Sequence, residues 1–198
     1  MRTSTTVPID SHALATLRYI RATIDAAGSV AVPGSAGIAV GVIGLIAAAL
    51  ASTAPLRPYW LAVWLIAAVL AATAGGTLVA RQSSRSRFTL LGTPLRKVLL
   101  GLVPCLFAGA VLTLADLRLG STHAIAGTWL LLYGCALVCI SALTSRTIGV
   151  LGGLFALLGC VAFGLPDHEQ GLALGIGFGG LHVLYGLLAR GEDHGLTS

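Results

Sequence analysis

Residues 175–190 read GIGFGGLHVLYGLLAR, an apolar run that contains one histidine, His182, and ends in Arg190. The whole chain has this character. Hydrophobic residues make up 56% of the 198 residues and charged residues only 10%, against about 25% in ordinary soluble domains. The mean hydropathy is +0.93, which is more apolar surface than a soluble fold of this length can bury. The composition therefore predicts a protein that lies within a lipid bilayer.

Apolar segments of similar length recur along the chain. Each has close to the ~20 residues that a helix needs to cross a hydrocarbon core. A helix pairs its own backbone amides, as the bilayer interior requires, and the sequence lacks the alternating pattern of a membrane β-barrel. We therefore expect an all-α bundle of six transmembrane helices in one domain over residues 34–190. The predicted spans are residues 35–53, 59–80, 94–115, 124–144, 147–166 and 171–189.

The segments outside this domain are short. Residues 1–9 are polar and are expected to be flexible. Residues 10–28 carry Ala13, Leu17, Ile20 and Ile24 at helical spacing beside a polar stripe, which predicts an amphipathic helix at the cytoplasmic face. This helix either lies in the membrane interface or packs beneath the bundle. Residues 191–198 are expected to form a cytoplasmic tail.

The basic residues indicate which loops face the cytoplasm. With a cytoplasmic N-terminus, ten of the 12 lysines and arginines lie in inner segments, and only Arg57 and Arg118 lie in outer loops. This asymmetry predicts a bacterial inner-membrane protein with both termini in the cytoplasm. No nucleic-acid role is expected, because aromatic residues are not interleaved with the basic ones, apart from Phe88. The residues expected to contact anionic lipid headgroups are Arg81, Arg85, Arg87, Arg96 and Lys97.

Glycines recur at intervals of three or four residues in three of the predicted spans. Small residues at this spacing let two helix backbones approach closely. They therefore predict helix seams within the bundle. The expected packing positions are Gly37, Gly41 and Gly44 in the first span, Gly149 and Gly153 in the fifth, and Gly175, Gly179 and Gly186 in the sixth.

His182 belongs to the glycine stripe of the sixth span, so we expect it in a helix seam. An imidazole facing lipid would leave a donor and an acceptor unpaired. Candidate partners are Tyr185 on the same helix, Tyr133 in the fourth span, and the carbonyl freed where Pro104 kinks the third span. The favoured role of His182 is a hydrogen bond between helices. Ligand or proton handling by His182, Tyr185 and Tyr133, or ligation of a cofactor, are the alternatives.

Several motif matches fail in their context. GIGFGG fits the dinucleotide fingerprint, but it follows no strand and lies within a predicted span. The four cysteines form no C-x-x-C pair and lie at membrane depth, where thiols behave as small apolar groups. The outer-loop residues Asp167, His168 and Glu169 favour a solvated polar loop over a cation site. The sequence therefore predicts no metal site, no cofactor and no catalytic residues.

Three stretches of the chain carry a family resemblance. They are LRYIRATIDAAGSVAVPGSAGIAVG (17–41), GTWLLLYGCA (127–136) and GFGGLHVLYGLLAR (177–190). In this order they resemble a family of small polytopic inner-membrane proteins, mainly from acidobacteria-like genomes, that has no assigned activity. The chain departs from the family pattern at Ser35, at Tyr185 and in its acidic ending GEDHG. The resemblance implies a multi-pass fold with motif positions at Pro33, Gly34, Trp129, Tyr133, His182 and Arg190.

The seams, the amphipathic helix and the missing catalytic set together predict a non-enzymatic membrane protein. It is expected to act through helix–helix association with itself or with a partner, as an accessory or regulatory membrane subunit. The alternative is a small-solute or proton-coupled transporter or channel that uses His182 and the bundle tyrosines, although a path would need polar lining residues. An intramembrane enzyme would need a second titratable group near His182, which no span obviously provides.

Overall fold

The computed structural model describes residues 16–19, 32–85, 93–142 and 144–195. Across these ranges the chain forms helices joined by short loops, with no β-strand. The predicted all-α fold is therefore confirmed for the described part of the chain. Of the expected amphipathic helix at 10–28, only residues 16–19 are described, and they are helical and exposed. Residues 1–9 and Arg87 lie outside the described residues, as do the side chains of Arg85, Arg96 and Lys97.

After the helical residues 16–19, the described chain forms five helices and then a long final helix. Two short 3₁₀ turns, Arg57–Tyr59 and Asp167–Glu169, lie directly before the second of these helices and before the final helix. The final helix runs without a break from Gln170 to Gly195 and changes its winding midway. The helices are α1 Gly34–Ser52, α2 Trp60–Arg85, α3 Thr93–Arg118, α4 Ile125–Ser141, α5 Arg146–Ala162, α6 Gln170–Leu174, a π-helical segment Gly175–Leu181, and α7 His182–Gly195.

Local sequence explains several helix ends. Pro33 adopts an extended conformation directly before α1, and its carbonyl accepts a hydrogen bond from the backbone nitrogen of Ala36 at 2.9 Å. Gly120 ends α3 at a φ of +70°, a left-handed conformation that suits glycine. The Ser145 hydroxyl accepts from the backbone nitrogen of Ile148 at 3.4 Å and caps α5. Each of these residues therefore marks the end of one helix.

The helices pack in pairs around the final helix. We call α6, the π-helical segment and α7 together the final helix. α1 packs on α2 on one side and on the final helix on the other, while α4 packs on α5 and on α3. The final helix joins the two groups through contacts with α1, α4 and α5. α2 and α3 therefore lie at the periphery, and they do not form a packed pair with each other.

Four stretches of the described chain are long and apolar enough to cross a membrane: residues 34–52, 57–82, 99–118 and 167–190. α4 and α5 are also apolar, but each has only 17 residues. These two helices are shorter than the predicted spans 124–144 and 147–166, since turns take up the ends of both segments. α3 continues through Pro104 to Arg118 without interruption, with Pro104 exposed on its surface.

One predicted packing face is wrong. Gly153 was expected in a helix seam, but it is exposed, and a Cβ atom added there would meet no atom within 4 Å. The neighbouring Gly152 meets α4 instead, where an added Cβ would lie 2.7 Å from the Val138 nitrogen and 2.8 Å from the Gly134 carbonyl oxygen. α5 has a second row of small residues, Gly152 and Gly159, and it is this row that faces α4. Gly149, at the edge of the contact, meets the side chain of Ser141.

Candidate functional site

The seam between α1 and the final helix is built from facing glycines. A Cβ atom added at Gly41 would lie 2.8 Å from the carbonyl oxygen of Gly179, and one added at Gly44 would lie 2.6 Å from that of Phe178. Gly34 and Gly186 approach one another in the same way. The backbones are close enough that no side chain fits between them, which is the contact that small residues permit. Gly37 meets Tyr185 and Gly186, and Gly175 meets Ala48.

The π-helical segment lies within this seam and directly precedes His182. Its sequence is GIGFGGL, and its buried positions are Gly175, Gly177 and Gly179. π-helical turns are rare and occur frequently at functional sites. The sequence pattern did not predict this segment, because glycine spacing is compatible with either winding. The wider turn brings Phe178 and His182 to the same side of the helix, facing α4 and α5.

His182 is buried at 6% exposure and is hydrogen-bonded to α4. Its Nε2 atom lies 3.0 Å from the hydroxyl oxygen of Tyr133. Its Nδ1 atom has no hydrogen-bond partner among the described residues. The backbone carbonyls of Gly177 and Phe178 lie against the ring without completing a hydrogen bond to Nδ1. The His182–Tyr133 bond therefore joins the final helix to α4 in a buried setting.

The two bonded rings pack together with two phenylalanine rings. We call these four residues the aromatic cluster: Tyr133, Phe155, Phe178 and His182. All six pairs among them are in contact, with centroid separations from 5.0 Å for Tyr133–Phe155 to 6.2 Å for Phe178–His182. Phe155 is fully buried and lies edge-on to both Tyr133 and His182. Such tilted and edge-on pairs are favourable contacts between aromatic rings. The cluster holds α4, α5 and the final helix together.

The other predicted partners of His182 lie elsewhere. The hydroxyl of Tyr185 donates to the carbonyl oxygen of Val32 at 2.9 Å, which ties α7 to the chain just before α1. Pro104 is exposed on α3, and Leu100, whose carbonyl it would free, is itself 60% exposed. The structure thus brings Tyr133 and His182 together and places Tyr185 in a separate contact.

A cavity of about 460 Å³ lies beside the aromatic cluster. α1, α2, α3, α4 and the final helix all contribute to its wall. It extends along the first half of α2 and the first half of α4, and it occupies the gap between the two peripheral helices. Tyr133 and Phe178 form one side of the wall, so the cavity reaches the aromatic cluster, whereas His182 lies behind them and does not line it.

All three tryptophans of the chain line this cavity. They are Trp60, Trp64 and Trp129, and apart from Tyr133 and Phe178 the remaining wall is alanine, leucine, isoleucine, valine and one glycine. Trp64 is only 9% exposed. The sequence did not predict the cavity, because it arises from two helices that fail to pack on each other.

Three polar groups of the cavity wall are hydrogen-bonded or enclosed by other atoms. The Trp129 indole nitrogen donates to the Thr113 hydroxyl at 2.9 Å, and the Tyr133 hydroxyl is bonded to His182. The Trp64 indole nitrogen has no partner among the described residues, but surrounding atoms enclose it completely. These three side chains therefore offer the cavity ring carbons and no available hydrogen-bonding group.

Two loops at the same end of the bundle are joined by an ion pair. The Nδ1 atom of His123, between α3 and α4, lies 2.6 Å from a carboxylate oxygen of Asp167, between α5 and α6. The hydrogen bond to Asp167 raises the pKa of His123 above its ordinary value of 6.5, and a contact with the Phe163 carbonyl adds to the rise. Both side chains are well exposed, so the pair is a surface contact between loops.

The described residues contain no group of three or more His, Cys, Asp or Glu side chains placed to hold a metal ion. Arg81 is exposed near the end of α2, and Arg146 begins α5.

A buried polar residue that the sequence did not predict is Gln170. Its amide nitrogen donates to the carbonyls of Ala162 and Leu165, both at 3.3 Å, and so closes the end of α5.

A scan against protein-family models, a search of curated proteins and a search of solved structures each find no match to this chain.

Proposed function

We propose that the chain is a six-span protein of the bacterial inner membrane with both termini in the cytoplasm, and that it belongs to the polytopic family its motifs resemble. Four long apolar helices support this topology. α4 and α5 would supply the remaining spans, because their length is at the lower end of the ~17–25 residues that can cross a bilayer. Arg81 and Arg85 then lie on the same side as Arg96 and Lys97, where they would meet anionic lipid headgroups.

The function we propose is non-enzymatic association through the peripheral helices, either with a second copy or with another membrane protein. One observation carries it. Only 11% of the apolar window of α2, and 11% of that of α3, is buried within the chain, against 39% for α1 and 44% for the final helix. A central bundle held by glycine seams thus presents two apolar helices whose surfaces the chain itself does not cover.

The contacts of His182 support association over transport. A transport path would need titratable or polar groups along its wall. His182 is bonded to Tyr133 inside the aromatic cluster, and Tyr185 is bonded to Val32, so these groups hold helices together. The cavity wall beside them is apolar.

Site-specific photocross-linking in intact membranes tests the association. A photoreactive residue is placed at Ile66 on α2 or at Phe107 on α3, both well exposed and both outside the cavity wall. We expect a discrete protein adduct from each position. Co-expression of a differently tagged copy shows whether the adduct is a homodimer or contains a second protein.

The matched control is Leu157 on α5, which is exposed to a similar degree, 63% against 61% at Ile66. It should give lipid adducts only. Equal protein adducts at Ile66, Phe107 and Leu157 would indicate random collision and would contradict the proposal, as would lipid adducts alone at all three positions.

A further inference from the structure

The side chains of the described bundle do not fill the cavity between α2 and α3. α2 packs on α1 and α3 packs on α4, and the two are not a packed pair, so the cavity opens sideways between them. In the six-span arrangement that side faces the bilayer. The inference below rests on this part of the proposed function.

The apolar lining of the cavity determines which kind of ligand can bind there. A buried water molecule needs two or more polar partners, and apolar cavities stay dry. The indole nitrogen of Trp129 is bonded to Thr113, the hydroxyl of Tyr133 is bonded to His182, and the indole nitrogen of Trp64 is enclosed. These groups therefore offer no hydrogen bond to water or to a polar ligand. A hydrocarbon chain needs no hydrogen-bond partner, so it can occupy an apolar cavity of this kind.

The volume indicates the size of that hydrocarbon. The cavity measures about 460 Å³, within the range of roughly 300–1,000 Å³ found for small-molecule sites. Taking a methylene group as similar in size to water, at about 30 Å³, the space holds on the order of fifteen such groups. This is one alkyl chain, not a transmembrane helix.

We propose that this cavity is a binding site for a single acyl chain of a membrane lipid, which enters sideways between α2 and α3. The chain lies against the ring faces of Trp60, Trp64 and Trp129 and ends near Tyr133 and Phe178. Its headgroup stays outside, because the wall is almost wholly apolar and carries no charged side chain. The aromatic cluster forms the closed end of the site.

Tryptophan fluorescence tests the proposal directly. The reporter is the variant Trp60→Phe/Trp129→Phe, which keeps only Trp64, and it is reconstituted in vesicles of phosphatidylglycerol and phosphatidylethanolamine. Trp64 is only 9% exposed, so a chain outside the protein barely reaches it. We expect strong quenching when the lipids carry bromine atoms in mid-chain, and none with the same lipids unbrominated. An unquenched Trp64 overturns the proposal.

A cavity-filling variant identifies where the quenching chain lies. Ala71→Phe adds a ring to the wall and should remove most of the quenching, while Ala62→Phe, on the same helix outside the wall, should leave it unchanged. Equal quenching in the two variants overturns the site. If Ala71→Phe fails to insert, Leu106→Phe and its control Val103→Phe on α3 make the same comparison.

Three further outcomes separate this site from the proposed function. If quenching decreases as the protein-to-lipid ratio is raised, a second copy displaces the lipid, and the acyl-chain site is rejected. If the protein inserts with six spans and Trp64 is unquenched, the site fails while the topology stands. If the protein does not insert, both proposals fail.

Discussion

At the scale of single residues, the bond between Tyr133 and His182 is a polar contact that joins two helices inside an apolar bundle. Both ring nitrogens of a histidine are hydrogen-bonding groups, and leaving one unpaired in an apolar interior is costly. Tyr133 pairs with Nε2, and the aromatic cluster packs around the bond. The histidine is therefore held at a fixed position in a part of the protein with few other polar groups.

Removal of the Tyr133 hydroxyl should destabilise the bundle. Tyr133→Phe leaves Nε2 of His182 buried without a partner, and we expect the free energy of unfolding in mixed micelles to decrease by about 1–2 kcal/mol. The control is Tyr59→Phe, which removes the same atom from a side chain that is 64% exposed and should change little. Similar losses for the two variants would mean that the His182 contact contributes nothing.

The His123–Asp167 pair should respond to pH. The hydrogen bond to Asp167 raises the pKa of His123 above 6.5. A raised pKa in the folded state means that the stabilisation is fully present below 6.5 and is lost as the pH rises through the raised value. The two loops are therefore joined more firmly in mild acid.

NMR titration of the histidine ring protons checks this prediction. Asp167→Asn should shift the pKa of His123 back toward 6.5, whereas Glu169→Gln, in the same loop, should leave it unchanged. A titration midpoint of His123 that is the same in Asp167→Asn and in the original chain would show that the ion pair does not form in solution.

At the scale of helices, two glycine seams set the architecture. One joins α1 to the final helix and the other joins α4 to α5. In lipid there is little hydrophobic driving force between helices, so close backbone packing contributes a large part of their association. These seams account for the central bundle, and α2 and α3 are added at its sides.

Two adjacent glycines of α5 give a sharp test of the second seam. Gly152→Ala would place a methyl group 2.7 Å from the Val138 nitrogen, and we expect it to lower the free energy of unfolding by about 1–3 kcal/mol. Gly153→Ala meets open space, and better helix propensity should make it neutral or stabilising by up to about 1 kcal/mol. The reverse order, measured by unfolding in mixed micelles, would show that α5 turns its other face to α4.

The sequence was sufficient to predict the helices but not all of their faces. Length and composition define an apolar helix, and a single glycine row in α1 leaves one choice of seam. α5 carries two rows, and only the partner decides that Gly152 and Gly159 are used in place of Gly153. The π-helical segment and the cavity depend on how helices pack in three dimensions, so no local sequence pattern predicts them.

At the scale of the whole molecule, the charge distribution predicts the orientation in the bilayer. Basic residues gather at the end of the bundle where α2 ends and α3 begins, and the His123–Asp167 pair lies at the opposite end. The cavity extends from that opposite end toward the middle of the bundle. With the basic end in the cytoplasm, the lipid chain proposed above would come from the outer leaflet.

Reporter fusions check this orientation. Fusions at residues 57, 118 and 168 should report the outer side, and fusions at residues 88 and 146 and at the C-terminus should report the cytoplasm. A single loop on the wrong side would contradict the six-span arrangement. Cytoplasmic signals at residues 57, 118 and 168 together would reverse the leaflet assigned to the cavity.

The π-helical segment fixes the angular phase between the two halves of the final helix. Its first residue and a residue beyond its end both contact α1: Gly175 meets Ala48, and Gly186 meets Gly34. Each residue of an ordinary helix advances the direction of the side chain by about 100°. Insertion of one residue into Gly175–Leu181 would therefore rotate everything that follows, carrying His182 away from Tyr133 and Tyr185 away from Val32 together, whereas deletion of one residue would be taken up by a return to ordinary α-helical winding. Both the chain length at this point and the identity of its buried glycines are therefore constrained.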